Sequence, residues 1–233
     1  MDFSKAFQNI QGSVVNVLAL NAQNIPVSSG SGVIIGSGNL VLTCAHCIIP
    51  NTTTIARFSG ANNGQIATVV FQDQQSDIAL LQFQQPIGSP AVIRSSSSVL
   101  IGHEAFVVGF PNNIDKITAL SANIAGFEPD NGFELIRLDA SVNHGNSGGP
   151  LFNANGELVG IVNAKHGSLS NFLHQVQSAQ PGAMVSIGGI DPVKAIQQLI
   201  SEMQRNLNLG IGYAIPTDHI GTLNNQVQGL IQP

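Results

Sequence analysis

The stretch VNHGNSGGPLF (142–152) surrounds one serine with glycines. Ser147 follows Gly145 and precedes Gly148 and Gly149, so the backbone around it can adopt turns that other residues resist. Such a serine has few side-chain neighbours, and nearby N–H groups can point towards an oxygen that becomes negative during acyl transfer. Taken alone, however, a Gly/Ser segment is more often a plain turn between strands. The stretch therefore has to be interpreted together with the rest of the chain.

Short apolar runs punctuated by turn residues extend through most of the sequence around this serine. Turn signals such as GSGN (36–39), PDNG (129–132) and NANG (153–156) separate the runs. The runs are SVVNVLAL (13–20), GVIIG (32–36), LVLTCA (40–45), TIARF (54–58), IATVVFQ (66–72), IALLQF (78–83), AFVVGF (105–110), ELIRLDA (134–140) and LVGIVNA (158–164). This pattern is typical of an all-β sandwich or barrel.

One segment, from about residue 168 to 206, departs from the β pattern. In DPVKAIQQLISEMQRN (191–206), Asp191 suits a helix N-cap and Pro192 suits the first helical position. Apolar residues then recur at spacings of three and four, at Val193, Ile196, Leu199, Ile200 and Met203. We therefore expect a helical insertion in an otherwise β-structured chain.

Composition and charge limit the possible partners. The 233 residues carry a formal net charge of -5, from 8 basic and 13 acidic residues. No basic patch is visible, so nucleic acid is not an expected partner. No apolar run approaches the ~18–20 residues of a membrane span. The first residues do not form a signal-peptide pattern, which predicts a cytoplasmic protein, or a periplasmic or secreted one if the chain has been trimmed.

A serine hydroxyl needs a base to act as a nucleophile. His46 follows an apolar run in LTCAHCIIP (42–50), and Asp77 precedes one in QQSDIALLQF (74–83). Each residue alone is more often a structural histidine or a turn aspartate. Together they occur in the order His46, Asp77, Ser147, which is one of the chain orders that build a Ser–His–Asp triad.

The two cysteines, Cys44 and Cys47, flank His46 and raise the alternatives of a metal or redox site. Zinc sites commonly need four ligands, or three and a water, and no second Cys/His cluster supplies the rest. A thioredoxin-like pair would open a helix in a βαβ unit, whereas these cysteines lie beside a predicted strand. We therefore expect neither a metal nor a cofactor.

With these residues in this order, the chain resembles trypsin-like serine proteases of the chymotrypsin fold, and most of all their HtrA/Deg branch. The resemblance runs in order from about residue 29 to 218. Its segments are SGSGVIIGSGNLVLTCAHCI (29–48), SDIALLQF (76–83), IGHEAFVVGFPN (101–112), LDASVNHGNSGGPLFNANGELVGIVNA (138–164) and GIGYAIPTD (210–218). No single segment is decisive, but the ordered set is specific.

The resemblance implies two six-stranded antiparallel β-barrels, residues 1–98 and 99–233, with the helical insertion at 165–209 beside the cleft between them. His46 would be the general base, Asp77 would orient it, and Ser147 would be the nucleophile. The N–H groups of Gly145 and Ser147 would form the oxyanion hole. Whether the insertion is a lid, an oligomer contact or decoration stays open.

The resemblance also implies which residues would contact substrate. They are Ser141, Val142, Asn143, His144, Asn163, Ala164, Lys165 and Ile211. No carboxylate occupies the position that selects Arg or Lys in trypsin-type pockets, so a preference for small aliphatic residues is expected. The PDZ domains usual in the HtrA branch have no counterpart in these residues.

The predicted function is a serine endopeptidase acting on a protein or peptide substrate, and the sequence leaves open whether it acts as a monomer or as a homo-oligomer. The alternatives are a latent or catalytically silent peptide-binding module of the same fold, and a self-processing or partner-activated protease. In digestive relatives the cysteine after the catalytic histidine pairs with one on the preceding glycine-rich strand. Ser29–Gly32 occupies that strand here, so both thiols are expected to be free.

Overall fold

The computed structural model describes residues 2–111, 115–163, 194–198 and 210–233. Most of these residues belong to two β-sheets, one from each half of the chain. The predicted all-β architecture is confirmed.

The N-terminal sheet has seven strands in the order β5-β4-β1-β2-β3-β7-β6. Its strands are β1 (Val14–Leu20), β2 (Pro26–Ile35), β3 (Leu40–Thr43), β4 (Thr53–Arg57), β5 (Gln65–Ile66), β6 (Thr68–Asp73) and β7 (Ile78–Gln82). All the pairings are antiparallel. Only Ala67 separates β5, which pairs with β4, from β6, which pairs with β7, so the continuous stretch 65–73 joins the two ends of this sheet, as the predicted barrel requires.

The C-terminal sheet closes on itself. Its strands are β8 (Ile93–Arg94), β9 (Glu104–Gly109), β10 (Thr118–Asp130), β11 (Phe133–Leu138), β12 (Pro150–Asn153), β13 (Leu158–Val162), β14 (Gly212–Pro216) and β15 (Ile231–Gln232). The order β12-β9-β10-β11-β14-β13 is completed by antiparallel pairing of β12 with β13. Six strands therefore form a closed antiparallel barrel, as predicted, and β8 and β15 extend it by parallel pairs.

The change from one sheet to the other falls earlier than residue 98. Strand β7 ends at Gln82, and β8 already pairs with β13 and β15 of the C-terminal sheet. The connection between the halves therefore lies within residues 83–92.

Helices are few and short in the described residues. They are α1 (Ser4–Ile10), α2 (194–198), α3 (Thr217–Leu223) and α4 (Asn225–Gln228). Residues 194–198 are helical, as expected for that part of the insertion, and Ile196 is about half exposed. The rest of the expected helix and of the insertion lies outside the described residues.

The first helix, α1, packs on the C-terminal barrel although it belongs to the N-terminal half. The ring of Phe3, just before α1, stacks on Phe106 of β9 with 4.7 Å between ring centroids. A Cβ placed on Gly156 would lie 3.2 Å from Ile10, so glycine is what lets this turn approach the helix. One buried apolar cluster consequently contains residues from both halves.

Candidate active site

His46 and Asp77 lie close together because His46 follows the end of β3 and Asp77 precedes the start of the adjacent strand β7. His46 lies in a 3-10 turn, Ala45–Cys47, directly after β3, and Asp77 directly precedes β7. Because β3 and β7 are paired, these ends lie side by side. The Nδ1 of His46 lies 2.5 Å from Oδ2 of Asp77, and the backbone N–H of His46 donates to Oδ1 at 2.9 Å. Both carboxylate oxygens thus hold one histidine.

The backbone of Asp77 adopts a left-handed conformation, with φ of +56°. Aspartate tolerates this region better than most residues, but the conformation still needs support from its surroundings. The carbonyl of Asp77 accepts a hydrogen bond from the N–H of Ala45 at 3.1 Å. The side chain of Gln72 donates to the carbonyl of Ala45 at 3.1 Å. The turn that carries His46 is therefore tied to strands β6 and β7.

Asn163, which follows β13, connects the C-terminal barrel to Asp77 through a hydrogen bond. Its Nδ2 donates to Oδ2 of Asp77 at 3.1 Å, and the residue is 2% exposed. The sequence predicted Asn163 as a substrate contact. The structure places its amide on Asp77, so the side chain helps to orient the carboxylate from the other half of the molecule, and the substrate contact stays a prediction.

Ser147 lies just after a tight turn at the start of the C-terminal barrel's β12. The turn Asn143–Asn146 is closed by a hydrogen bond from Asn146 N–H to Asn143 C=O at 3.0 Å. Gly145 has φ of +91° at the third position, which is the type II pattern and which favours glycine. No described residue accepts a hydrogen bond from the N–H of Gly145. Ser147 itself is 3% exposed.

Ser31, at the centre of β2, connects the N-terminal sheet to this turn. Its Oγ donates to the carbonyl of Gly145 at 2.6 Å and accepts from the N–H of Phe110 at 2.9 Å. Its N–H donates to the carbonyl of Ser147 at 2.8 Å, and its own carbonyl accepts from Oγ1 of Thr43 at 2.7 Å. One fully buried residue therefore fixes the backbone on both sides of Asn146, through its hydroxyl on one side and its N–H on the other.

Gly148 is required by close packing. A Cβ there would lie 2.3 Å from both the carbonyl of Ser31 and Oγ1 of Thr43, and its φ is +82°. Any larger residue would push the serine turn away from the N-terminal sheet. The glycines around Ser147 thus serve the approach of two sheets, which the sequence could not distinguish from a flexible turn.

Cys44, His46 and Asp77 form a group whose possible ligand atoms lie within 4.8 Å of one another. Two ligands of a tetrahedral zinc ion stand about 3.3 Å apart, given bonds of about 2.0 Å. The 2.5 Å between His46 Nδ1 and Asp77 Oδ2 is instead a hydrogen-bond distance. The sulfur of Cys44 lies 3.3 Å from the carbonyl of Val162 and is directed to it. The group is arranged for hydrogen bonding, and the expectation of no metal stays a prediction.

Both cysteines are buried thiols that form no disulfide, as predicted. The sulfur of Cys47 lies 3.7 Å from the carbonyl of Ser147. A Cβ placed on Gly30 would lie 2.4 Å from the same sulfur, so Cys47 fills the space that a side chain at residue 30 would need. The thiols therefore pack behind the site.

The predicted substrate contacts fall into two groups. Ser141 and His144 are exposed and Asn143 is partly exposed along the turn, whereas Val142 is 7% exposed. Ile211 is 46% exposed, just before β14. Ala164 and Lys165 lie outside the described residues.

Sequence reasoning did not identify Ser31, or a histidine on α3, His219. Ser31 lies in a Gly/Ser run, and His219 has no patterned neighbours. Yet Nε2 of His219 lies 2.9 Å from Oγ of Ser76, the residue before Asp77. Neither contact had a signal in the sequence, because each joins residues more than a hundred positions apart.

Among the described residues, no helix reaches the length and apolarity that crossing a bilayer requires.

Comparison with known proteins identifies the family and the fold of the chain. The family model of the trypsin-like peptidase domain matches residues 30–161. The putative serine protease HhoA of Synechocystis is 32% identical over 205 residues, which are 82% of this chain and 45% of HhoA. The periplasmic serine endoprotease DegP of Escherichia coli K12 is 31% identical over 181 residues, 75% of this chain and 35% of DegP. The chain thus spans less than half the length of these relatives.

A solved structure of the HtrA-type protease AlgW with a tripeptide shares the fold, with a TM-score of 0.67 and 21% sequence identity. The match covers 97% of this chain and 65% of that structure. DegP is named as periplasmic, so the relatives do not support the expected cytoplasmic location. The family model covers more than half of the chain, and the relatives are HtrA-type, as the sequence predicted. The chain belongs to the trypsin-like peptidase family.

Proposed function

We propose that this chain is a serine endopeptidase that cleaves peptide bonds through an acyl-enzyme. The observation that carries the proposal is the double attachment of His46 to Asp77, through Nδ1 at 2.5 Å and the backbone N–H at 2.9 Å. Two bonds fix both the position and the plane of the imidazole. They also favour the tautomer with its proton on Nδ1, which leaves Nε2 free to accept a proton.

In the proposed reaction, Oγ of Ser147 attacks the carbonyl carbon of the substrate while Nε2 of His46 takes the hydroxyl proton. Asp77 stabilises the imidazolium that forms. Collapse of the tetrahedral intermediate breaks the C–N bond, and the same proton passes to the leaving amine. Water then repeats the attack on the ester and releases the acid and the free serine.

The N–H groups of Gly145 and Ser147 are proposed to stabilise the oxyanion of each tetrahedral intermediate. The type II turn at Gly145 supports this role, because the carbonyl of Gly145, in the peptide after the proposed donor, is bonded to Ser31 and anchors the residue. Removing one donor of such a hole typically costs about 10²–10³ in kcat. Ser31 therefore stabilises the proposed oxyanion hole without providing one of its hydrogen-bond donors.

We propose a shallow apolar specificity pocket that favours small aliphatic residues before the cleaved bond. Val142 and Gly212 lie against each other, since a Cβ on Gly212 would be 2.4 Å from a methyl group of Val142. The nearest acid along the chain, Asp139, accepts hydrogen bonds from both the backbone and the side chain of Asn123, which lower the pKa of Asp139. This carboxylate is therefore ionised and engaged by Asn123, which is not one of the residues of the proposed pocket.

Labelling with a fluorophosphonate probe tests the activity directly. The wild-type protein is expected to become labelled, and Ser147→Ala is expected to remain unlabelled with an unchanged unfolding temperature. A folded wild type that neither reacts with the probe nor hydrolyses a denatured protein would favour the silent peptide-binding module. Preferred cleavage after Arg or Lys in a peptide library would overturn the pocket assignment.

Protein or peptide substrates follow from the proposed activity. Homo-oligomerisation stays a prediction, which light scattering of the purified protein tests. A cytoplasmic location also stays a prediction, and cell fractionation distinguishes it from the periplasmic location named for DegP.

A further inference from the structure

A second histidine reaches the active-site corner from the opposite half of the molecule. His219 lies on α3 (Thr217–Leu223), which packs on the C-terminal barrel. Its Nε2 is 2.9 Å from Oγ of Ser76, in the turn between β6 and β7 of the N-terminal sheet. Ser76 is 6% exposed and directly precedes Asp77. The contact therefore joins the two halves one residue away from the carboxylate that holds His46.

The ring of His219 is held in a fixed plane. It stacks on the ring of Phe133, at the start of β11, with 3.7 Å between centroids and 4° between planes. Burial lowers the pKa of His219, and the carboxylates of Asp73 and Asp130 oppose that change only in part. The imidazole is consequently neutral at neutral pH, with one nitrogen that donates and one that accepts. A hydroxyl can complement either nitrogen.

Ser76 is held on its other side as well. Its N–H donates to Oδ2 of Asp73 at 2.7 Å, across the turn. With His219 on the hydroxyl and Asp73 on the amide, the residue before Asp77 is fixed at two points. The left-handed conformation of Asp77, with φ of +56°, needs such support because it is unfavourable for a residue with a side chain.

We propose that His219 is a positioning residue, which holds Ser76 and thereby fixes the backbone that aims Asp77 at His46. The inference rests on the proposed peptidase function of the triad. It also places part of the support for Asp77 on α3, so the geometry of His46 and Asp77 depends on how the two halves pack. Asn163 and His219 would then support Asp77 from the same half, one at its carboxylate and one at its backbone.

The test combines kinetics with a measurement that does not need activity. A proton in a hydrogen bond as short as that between His46 Nδ1 and Asp77 Oδ2 gives an NMR signal far downfield of the amides, and His46→Gln identifies it by its loss. His219→Ala is expected to shift or broaden this signal and to lower kcat about tenfold, with KM within about twofold of wild type, because substrate contacts are untouched. His219→Gln is expected to retain the signal and most of kcat, since its amide can still bond to Ser76.

Two further variants separate positioning from general stability. Asp218→Ala, on the same helix, removes the hydrogen bonds that Oδ2 of Asp218 accepts from Oγ of Ser95 and the N–H of Ser97. It is expected to lower the unfolding temperature but to leave the signal of His46 in place. Ser76→Ala is expected to reproduce His219→Ala, and the double variant is expected to add little, because the two residues act through one contact.

The outcomes also distinguish this inference from the proposed function. An unchanged downfield signal in His219→Ala, or an equal change in Asp218→Ala, would overturn the positioning role. A wild type that shows the signal but neither hydrolyses peptides nor reacts with the probe would refute the peptidase proposal, while the response of the signal to His219→Ala would still decide the positioning role.

Discussion

Oγ of Ser31 donates a hydrogen bond to the carbonyl of Gly145 at 2.6 Å, and so a strand of the N-terminal sheet holds the turn that precedes Ser147. The same oxygen accepts the N–H of Phe110 at 2.9 Å. Because Ser31 is fully buried, water cannot replace either bond. The proposed oxyanion hole thus depends on a residue that lies in the other half of the molecule.

Replacing Ser31 by alanine is expected to lower both stability and activity. The change leaves a buried carbonyl and a buried N–H without their partner, which costs about 2 kcal/mol of unfolding free energy. It also frees the peptide at Gly145, so kcat is expected to fall more than KM rises. Urea unfolding and steady-state kinetics with a fluorogenic peptide check the two effects.

Ser29→Ala on the same strand is the matched control, since the hydroxyl of Ser29 donates to Oδ1 of Asn16 at 3.2 Å in a partly buried position, away from the serine turn. A loss of kcat in Ser29→Ala as large as in Ser31→Ala would contradict the specific role of Ser31.

Gly30→Cys is expected to form a disulfide with Cys47. A Cβ on residue 30 lies 3.2 Å from Cβ of Cys47, and disulfides usually need about 3.5–4.5 Å, so the strand must yield by a few tenths of an ångström. Closing this loop is worth about 3 kcal/mol in the chain-entropy model. Under oxidising conditions the unfolding temperature should rise, and thiol titration after denaturation should detect Cys44 alone.

Gly30→Ala provides the control for that disulfide. It brings a methyl group against the sulfur of Cys47, within 2.4 Å before relaxation, without the possibility of a bond. It is expected to be less stable than wild type at every redox condition. A Gly30→Cys protein whose stability does not respond to reductant would refute the pairing.

Asn163→Ala is expected to lower kcat/KM about tenfold or more, because a hydrogen bond to a charged group contributes about 1.5–3 kcal/mol. The lost bond is the one from Nδ2 to Asp77 at 3.1 Å. Asn163→Asp is expected to lower kcat/KM further than Asn163→Ala at neutral pH, since it places a second carboxylate beside that of Asp77. If Asn163→Ala retained wild-type kcat/KM, the orienting role of this amide would be wrong.

The stability of the protein is expected to fall as the pH drops through the range in which His219 would become protonated. Burial lowers the pKa of His219 in the folded state, below the value of about 6.5 for an exposed histidine. The unfolded chain therefore binds more protons in that range, so unfolding becomes easier as pH decreases. The stability that the neutral imidazole of His219 contributes is fully present above the pKa of this histidine in the unfolded chain, and it is lost as the pH falls below that value towards the pKa in the folded state.

Urea midpoints at about pH 7.5 and about pH 5.5 measure this effect. His219→Gln should lose less stability between the two values than wild type, although Asp73 and Asp130 moderate the difference by favouring the imidazolium. Identical losses in the two proteins would show that other groups cause the acid sensitivity.

Local pattern predicted much of the architecture. The run LVLTCA (40–45) and the run IALLQF (78–83) coincide with β3 and β7, because alternation and turn residues are properties of neighbouring positions. Strand β2 begins at Pro26, six residues before the predicted run, in a segment rich in serine and glycine. There the pairing with β1 outweighs the local preference for a loop.

The sequence predicted the parts of the site that depend on the type and order of single residues. It did not predict the parts that depend on contacts between residues far apart in the chain. His46, Asp77 and Ser147 could be proposed from residue type and order. The contacts of Ser31 with Gly145 and of His219 with Ser76 could not, because they arise only when two sheets pack. The hydrogen bond from the amide of Asn163 to Asp77 was not predicted for the same reason, since nothing in the segment around Asn163 indicates that Asp77 lies within reach.

The docking of α1 also constrains how the chain acquires its structure during synthesis. Residues 4–10 are synthesised before their partners, which are Phe106 and the turn at Gly156. The N-terminal sheet can pair its own strands as soon as residue 82 has emerged, whereas the helix has to wait until residue 156 has followed. Phe3 and Phe7 therefore lack their apolar partners during that interval, and the docking of α1 completes the buried cluster that contains residues of both halves.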